Sequence, residues 1–241
     1  MSVKCVIFDI GDTLIDSDKS LERTKKLLPE LKFLNKKGFM VSKRDFLKAL
    51  PETVEEMRKT PFPLKHKYGL FAAVMLKNLG IRGNKRLEIE MEDAFYSVRD
   101  RKTVLMPNAR RILSWLGSNN ITIIALSNVG TKPVMRRLRI IRLKQYFDKV
   151  FISEALGYEK SSVIPFKIAL KWLKPKGIKA TECLMVGNDY VEDASAKKAG
   201  IKTVILTVNA SQKDKAAAKP DYEIKNLIEL KRIIRGLNER K

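Results

Sequence analysis

The chain has 241 residues, 44% of them hydrophobic, enough to bury one large core or one core with a smaller lid. No apolar run approaches the roughly 18 residues a membrane helix needs, and the N-terminus enters a strand at once, so neither a membrane span nor a signal peptide is expected and a cytoplasmic protein is. Lys plus Arg number 49 against 27 Asp plus Glu, a formal charge of +22, which favours weak, salt-dependent polyanion affinity; without an RNP sequence, a zinc-finger spacing or a basic run interleaved with aromatics, specific nucleic-acid recognition is not expected.

The first element is Val6 to Ile15, VIFDIGDTLI. A β-branched run that stops at a carboxylate and a glycine reads as a buried parallel strand delivering Asp9 to its carboxyl end, where open α/β sheets place ligands. An aspartate capping a strand-to-helix turn has the same look. From Asp16 to Leu105 no strand-like alternation occurs. Leu21, Leu27, Leu28, Leu31 and Leu34 recur at helical spacing and end at Gly38. Ser42 with Asp45 forms a capping pattern opening a helix through Phe46, Leu47 and Leu50. Pro51 either kinks that helix or marks a new start at Thr53, where Thr53 and Glu56 repeat the pattern. Pro61 and Pro63 break the chain, a third helix runs from Tyr68 to Leu79 and closes at Gly80, and a fourth, Lys85 to Arg101, carries Leu87, Met91, Phe95 and Val98 on one stripe. Most of these stripes are expected to pack on one another.

From Met106, a helix over Ala109 to Leu116 feeds a second buried strand, Ile121 to Asn128 (ITIIALSN), which ends in Ser127 and Asn128. A strongly basic helix, Lys132 to Leu143, follows, then Tyr146 to Gly157 and Lys160. A third run, Cys183 to Gly187 (CLMVG), ends in Asn188, Asp189 and, further on, Asp193. Thr203 to Thr207 is a further strand, Lys213 to Lys219 a charged connector, Pro220 to Ile224 an edge strand, and Leu227 to Leu237 a last helix. Cys5 and Cys183 each sit inside a strand, outside any Cys-x-x-Cys spacing, and read as small core residues with free thiols in a reducing compartment.

A carboxylate, a hydroxyl with an amide, a lysine and an acidic cluster thus arrive in order, three of them at strand ends. This order resembles the four motifs of the haloacid dehalogenase-like (HAD) superfamily across nearly the whole chain. The resemblance implies an α/β fold: a Rossmann-like, doubly wound parallel-sheet core from residues 1–15 and 106–241, with an all-helical cap of the C1 type, residues 16–105, inserted after the first strand. A cap of this kind would exclude water and choose the substrate; Arg44, Phe62, His66 and Tyr68 are candidates there, although His66, the sole histidine, also reads as an ordinary surface or packing residue.

By the same resemblance Asp9 is a nucleophile forming an acyl-phosphate. Mg²⁺ is held by Asp9, the Gly11 carbonyl and the fourth-motif residues Asn188, Asp189 and Asp193. Ser127 and Asn128 bind phosphate oxygens, Lys160 pairs with both the phosphate and Asp9, and Thr13 orients the loop. Two positions depart from the pattern. The family's phosphatases carry a second aspartate where Gly11 stands here, an acid-base group worth on the order of 10² to 10⁴ in rate, and Asp12 lies one residue too late unless the loop shifts. Asn188 stands where many relatives have aspartate, so either Asp189 and Asp193 form the acidic pair, or Asn188 lends an amide oxygen and Asp193 acts from behind it. The expected function is a Mg²⁺-dependent phosphatase of a small phosphorylated metabolite, slow, suited to good leaving groups such as acyl phosphates, or supplied with its acid by the cap, and working as a monomer or homodimer. The alternatives are a 2-haloacid dehalogenase-type hydrolase, which also lacks the second aspartate but uses no metal, and a non-catalytic polyanion-binding relative.

Overall fold

The computed structural model describes residues 2–209 and 219–239. Among them are eight strands: β1 (Cys5–Phe8), β2 (Ile15–Asp16), β3 (Val104–Leu105), β4 (Thr122–Ser127), β5 (Lys149–Ile152), β6 (Cys183–Gly187), β7 (Lys202–Leu206) and β8 (Tyr222–Ile224). Six form one sheet in the order β5-β4-β1-β6-β7-β8, every neighbouring pair parallel. A parallel strand covered on both faces has no solvent side, and β1 and β6 accordingly read as unbroken apolar runs with every residue buried. Chain order runs outward from β1 in both directions, making β1 and its neighbours β4 and β6 the switch point, the position at which open α/β sheets gather their ligands. Phe8 pairs with Ala125 on one side and Val186 on the other, so Asp9 begins the first loop past that line, its N–H donating to the Val186 carbonyl at 2.9 Å. Cys5 and Cys183 face each other in register, buried and free.

The pair β2–β3 is antiparallel and was not expected, since 16–105 reads as helical throughout. Two residues per strand are too few to impress a period of two on the sequence.

Contacts divide the chain into two units, one of residues 1–17, 104–131 and 142–241, the other of residues 18–103 and 132–141. The second is built from helices α1 (Ser17–Lys25, from its second residue), α2 (Pro29–Lys36), α3 (Lys43–Lys59), α4 (Leu70–Asn78) and α5 (Lys85–Arg101). Its core is Leu34, Phe46, Ala72, Met75, Leu76 and Met91 with their neighbours. The stretch expected as one helix through Leu34 is two. Leu28 adopts the left-handed region, φ 44°, and Pro29, lacking an N–H, fits the first turn of a new helix. In α3 the Ser42 hydroxyl accepts from the Asp45 N–H at 3.1 Å, and the helix continues past Pro51 without a new start. The carbonyl that Pro51 leaves without its helical donor is that of Leu47, an exposed residue. Thr53 is therefore no cap; its buried hydroxyl donates back to the Ala49 carbonyl at 2.8 Å.

Helix α6 (Ala109–Ser118) contacts β4 in the first unit. Helix α7 (Thr131–Ile140) departs from the expected division, in which all of 106–241 belonged to the α/β core: residues 132–141 group with the helical unit. The physical reason is charge pairing. Asp100 on α5, with a fully buried side chain, accepts from Arg136 Nε at 2.7 Å and Arg137 Nε at 3.1 Å, and Asp93 accepts from Arg136 Nη1 at 3.0 Å. The remaining helices are α8 (Ser153–Leu156), α9 (Ile164–Leu173) and α10 (Leu230–Glu239). Phe166, Ala169 and Leu173 of α9 cover one sheet face, against Cys5, Ile7, Leu126 and Met185. The expected connector at 213–219 lies, but for Lys219, outside the described residues. No helix among the described residues is long and apolar enough to cross a membrane.

Candidate active site

Every residue singled out above from the four motifs lies in the first unit. Asp9 leaves β1 almost buried, at 6% exposure. In the loop that follows, the N–H groups of Leu14 and Ile15 both donate to the Ile10 carbonyl, and Asp12 takes a left-handed conformation, φ 53°. Asp12 Oδ1 accepts from the Ser17 N–H at 2.9 Å, so this carboxylate caps the start of α1. Thr13 is fully buried, its hydroxyl 3.2 Å from Asn188 Oδ1 and 3.4 Å from Asp9 Oδ2. With one proton to give, it ties the first loop to the fourth-motif loop.

Strand β4 delivers Ser127 and Asn128. The buried Ser127 hydroxyl has no hydrogen-bond partner among the described residues. The Asn128 side chain is engaged at both ends, Oδ1 accepting from the Lys160 N–H at 2.9 Å and Nδ2 donating to Glu192 Oε2 at 2.8 Å. Lys160 reaches the centre, its Nζ 2.6 Å from Asp9 Oδ1 and 2.6 Å from Asp193 Oδ1.

Strand β6 ends at Gly187, and the chain turns so that the N–H groups of Asn188 and Asp189 both donate to Asp193 Oδ2 at 3.0 Å. Only glycine permits this, because a Cβ at 187 would fall 2.0 Å from Asp193 Oδ2. Asp189 takes another course. Its Oδ1 accepts from the N–H groups of Val191 and Glu192 at 2.8 and 2.7 Å, so the carboxylate folds into its own turn. Asp189 and Asp193 thus do not face one another as a pair, and among the described residues no cluster of three or more His, Cys, Asp or Glu is arranged to hold a metal. The Asn188 amide oxygen is linked to Asp9 through the Thr13 hydroxyl that lies between them.

The electrostatics follow from burial. Burial is the largest influence on Asp9 and pushes its carboxyl up to about 7, with the Lys160 ammonium opposing the rise and Asp193 adding to it. Burial also works against the charged form of Lys160, but Asp193 and Asp9 outweigh it, and the amine is held well above the ordinary lysine value. A lysine fixed as a cation between two carboxylates offsets their repulsion and holds the Asp9 carboxyl in a buried, poorly solvated position.

Glu192 is a site residue that the motif reading passed over. Burial raises its carboxyl above the usual range, opposed by Lys160 and reinforced by Asp189 and Asp193. The signal was present as an unassigned acid beside Asp193 in the run NDYVED. Ser195 was missed as well; its hydroxyl lies against the carbonyls of Lys160 and Glu192.

A doubly wound parallel sheet with a buried, lysine-paired carboxylate after its central strand defines the class: an α/β core that gathers its charged residues at the switch point of the sheet. The model of the haloacid dehalogenase-like hydrolases matches residues 3–200, and the chain belongs to that family. Curated relatives carry the names of phosphatases. One, the glyceraldehyde 3-phosphate phosphatase of Pyrococcus abyssi, is 27% identical over 205 residues, 84% of this chain and 80% of its own. Two solved structures share the fold. The HAD hydrolase YfnB of Bacillus subtilis, bound to magnesium, aligns with a TM-score of 0.71 at 19% identity over 98% of this chain and 100% of its own. The 2-haloacid dehalogenase of Pseudomonas syringae pv. Tomato aligns with a TM-score of 0.71 at 22% identity over 98% and 99%.

Proposed function

We propose that the chain is a cytoplasmic, Mg²⁺-dependent phosphatase of a small phosphorylated metabolite, with Asp9 as nucleophile. The observation that carries the reading is the ammonium of Lys160 standing 2.6 Å from both Asp9 and Asp193, which holds the attacking carboxylate in place with its charge balanced. Residues 1–17, 104–131 and 142–241 serve as the catalytic core, and residues 18–103 with 132–141 as the substrate-selecting cap. The free thiols of Cys5 and Cys183 suit a reducing compartment.

In this reaction the phosphoryl group is bound by the unpartnered Ser127 hydroxyl and the loop at Asn128, while Lys160 answers its negative charge. The Asp9 carboxylate attacks phosphorus, the bond to the leaving oxygen breaks, and water then hydrolyses the aspartyl-phosphate. Asp9, the Asn188 amide oxygen and the Gly11 carbonyl are hard oxygen donors of the kind Mg²⁺ takes, and the ion, when bound, supplies charge neutralisation to the phosphoryl oxygens. This donor set fits Mg²⁺ with one carboxylate fewer than a site carrying aspartate at 188. Asp193 contributes by holding Lys160 and the 188–189 backbone, and Asp189 by shaping the turn. Gly11 donates no proton and Asp12 is committed to Ser17, so the leaving group departs as a stable anion: acyl or enol phosphates suit the site better than alkyl phosphates.

A dehalogenase reading draws on the same missing acid at Gly11. The two separate in one experiment: p-nitrophenyl phosphate turnover with and without Mg²⁺, beside chloride release from 2-chloropropionate, each with Asp9→Asn as control. Mg²⁺-dependent phosphate release lost in Asp9→Asn supports the phosphatase; metal-independent chloride release supports the dehalogenase. No turnover of either substrate, together with RNA binding at physiological salt, would favour a non-catalytic polyanion-binding protein.

A further inference from the structure

We propose that Glu192, to which the four motifs assign no role, is a positioning residue that locks Asn128 and, through it, the backbone of Lys160, so that the phosphate seat and the nucleophile's lysine move as one piece.

The hydrogen-bonding chemistry leaves Asn128 a single orientation. The Lys160 backbone N–H can only donate, so it must meet the Asn128 carbonyl oxygen, at 2.9 Å. That choice turns Nδ2 toward Glu192, where a donor requires an acceptor, and the Glu192 carboxylate supplies one at 2.8 Å. The other side of the ring closes through Ser195, whose hydroxyl lies between the Lys160 carbonyl and the Glu192 carbonyl, the latter at 2.8 Å, and shares its one proton between them. Four residues from three separate segments, the loop after β4, the segment before α9 and the loop after β6, therefore form a closed ring: Asn128, Lys160, Ser195, Glu192. Glu192 is itself fixed from the far side, its N–H donating to Asp189 Oδ1 at 2.7 Å, which gives Asp189 a purpose other than metal binding.

Cutting the ring at Glu192 frees the Asn128 amide to rotate and loosens the Lys160 N–H, whose side chain reaches Asp9 and Asp193 from that backbone. The phosphate seat then loses definition while the nucleophile itself is untouched. Binding should suffer more than chemistry, an effect that loss of stability alone would not produce.

The kinetic test rests on the phosphatase reading above and uses Glu192→Ala, Asn128→Ala and the double variant, with KM and kcat for p-nitrophenyl phosphate and inhibition by inorganic phosphate. Each single variant should raise KM and the phosphate inhibition constant about tenfold, with kcat changed less, as the loss of a charge-assisted hydrogen bond would. The double variant should be no worse than Asn128→Ala alone, and Glu192→Gln, whose amide oxygen still accepts, should recover most of the loss. Independent, multiplying effects in the double variant, or an unchanged KM in Glu192→Ala, would overturn the proposal. If the wild type hydrolyses no phosphoester, the phosphatase reading fails, and the ring is judged by hydrogen exchange. Exchange at the Lys160 amide should then be faster in Glu192→Ala than in wild type, and equal rates would overturn it.

Discussion

Replacing Gly187 by alanine adds a single methyl group, yet it strikes the atoms on which the site is built. The new Cβ would lie 2.0 Å from Asp193 Oδ2, 2.2 Å from its Cγ and 2.7 Å from its Cβ. None of these can swing aside freely, because Oδ1 is held by Lys160 at 2.6 Å and Oδ2 by the N–H groups of Asn188 and Asp189 at 3.0 Å. Gly187→Ala therefore expels the Asp193 carboxylate, leaving two amides without their acceptor and the buried Lys160 ammonium with Asp9 alone. Removing one partner of a buried ion pair costs about 3–5 kcal/mol; since Asp9 remains, the lower end, about 3 kcal/mol, applies. Urea unfolding measures it as a fall in the midpoint at constant slope, and hydrolytic activity should be lost with it. Gly117→Ala is the control, because a Cβ there meets nothing within 4 Å on helix α6, and it should be neutral or stabilising by up to about 1 kcal/mol. A Gly187→Ala protein within about 0.5 kcal/mol of wild type and still active would refute the placement of Asp193 and the reasoning built on it.

Gly11→Asp should restore the missing acid, since its Cβ meets only Ser17 Oγ, at 3.3 Å. Turnover of alkyl phosphates should rise by on the order of 10²-fold, and of p-nitrophenyl phosphate much less; an unchanged ratio between the two would count against the account of Gly11. Asn188→Asp places a second carboxylate beside Asp9 and should lower the Mg²⁺ concentration giving half-maximal activity by about tenfold, and an unmoved activation curve would remove Asn188 from the metal's surroundings. Burial pushes the Glu30 carboxyl from 4.5 up to about 7, so between those values the folded chain keeps a proton that the unfolded chain has lost. Stability from this group is present at low pH and is lost as pH rises through that window, by about 3 kcal/mol in all. In urea unfolding at about pH 5 and about pH 8, Glu30→Gln should fall less than wild type, with the slope due to Glu92 and Asp9, both also pushed up to about 7, remaining; parallel falls would contradict the burial argument.

What could be read in the sequence was what periodicity and strand ends reveal. β6 ends at the expected residue and α5 spans the expected range because an apolar run marks the one and an apolar stripe the other. The meeting of Asp9, Lys160 and Asp193 was implied by the order of motifs, but the part each acid plays was not. Asp189 and Asp193 look alike in a sequence, and only the turn after β6 decides that one carboxylate faces Lys160 and the other its own backbone. Asp12 was similarly ambiguous until its left-handed conformation bound it to Ser17. The allegiance of α7 was hidden for a different reason. Arg136 and Arg137 look like solvated charge until Asp93 and Asp100, seven residues apart on α5, are seen to share one face with them. Pro29 was a legible stop that the leucine spacing obscured.

The central claim is covalent attack by Asp9, and acid-quenched phosphopeptide mapping tests it most directly. After brief incubation with a radiolabelled phosphoester, the label should appear on the peptide containing Asp9, be released by hydroxylamine as an acyl-phosphate is, and be absent from Asp9→Asn. Label on another residue, or undiminished labelling of Asp9→Asn, would contradict the account.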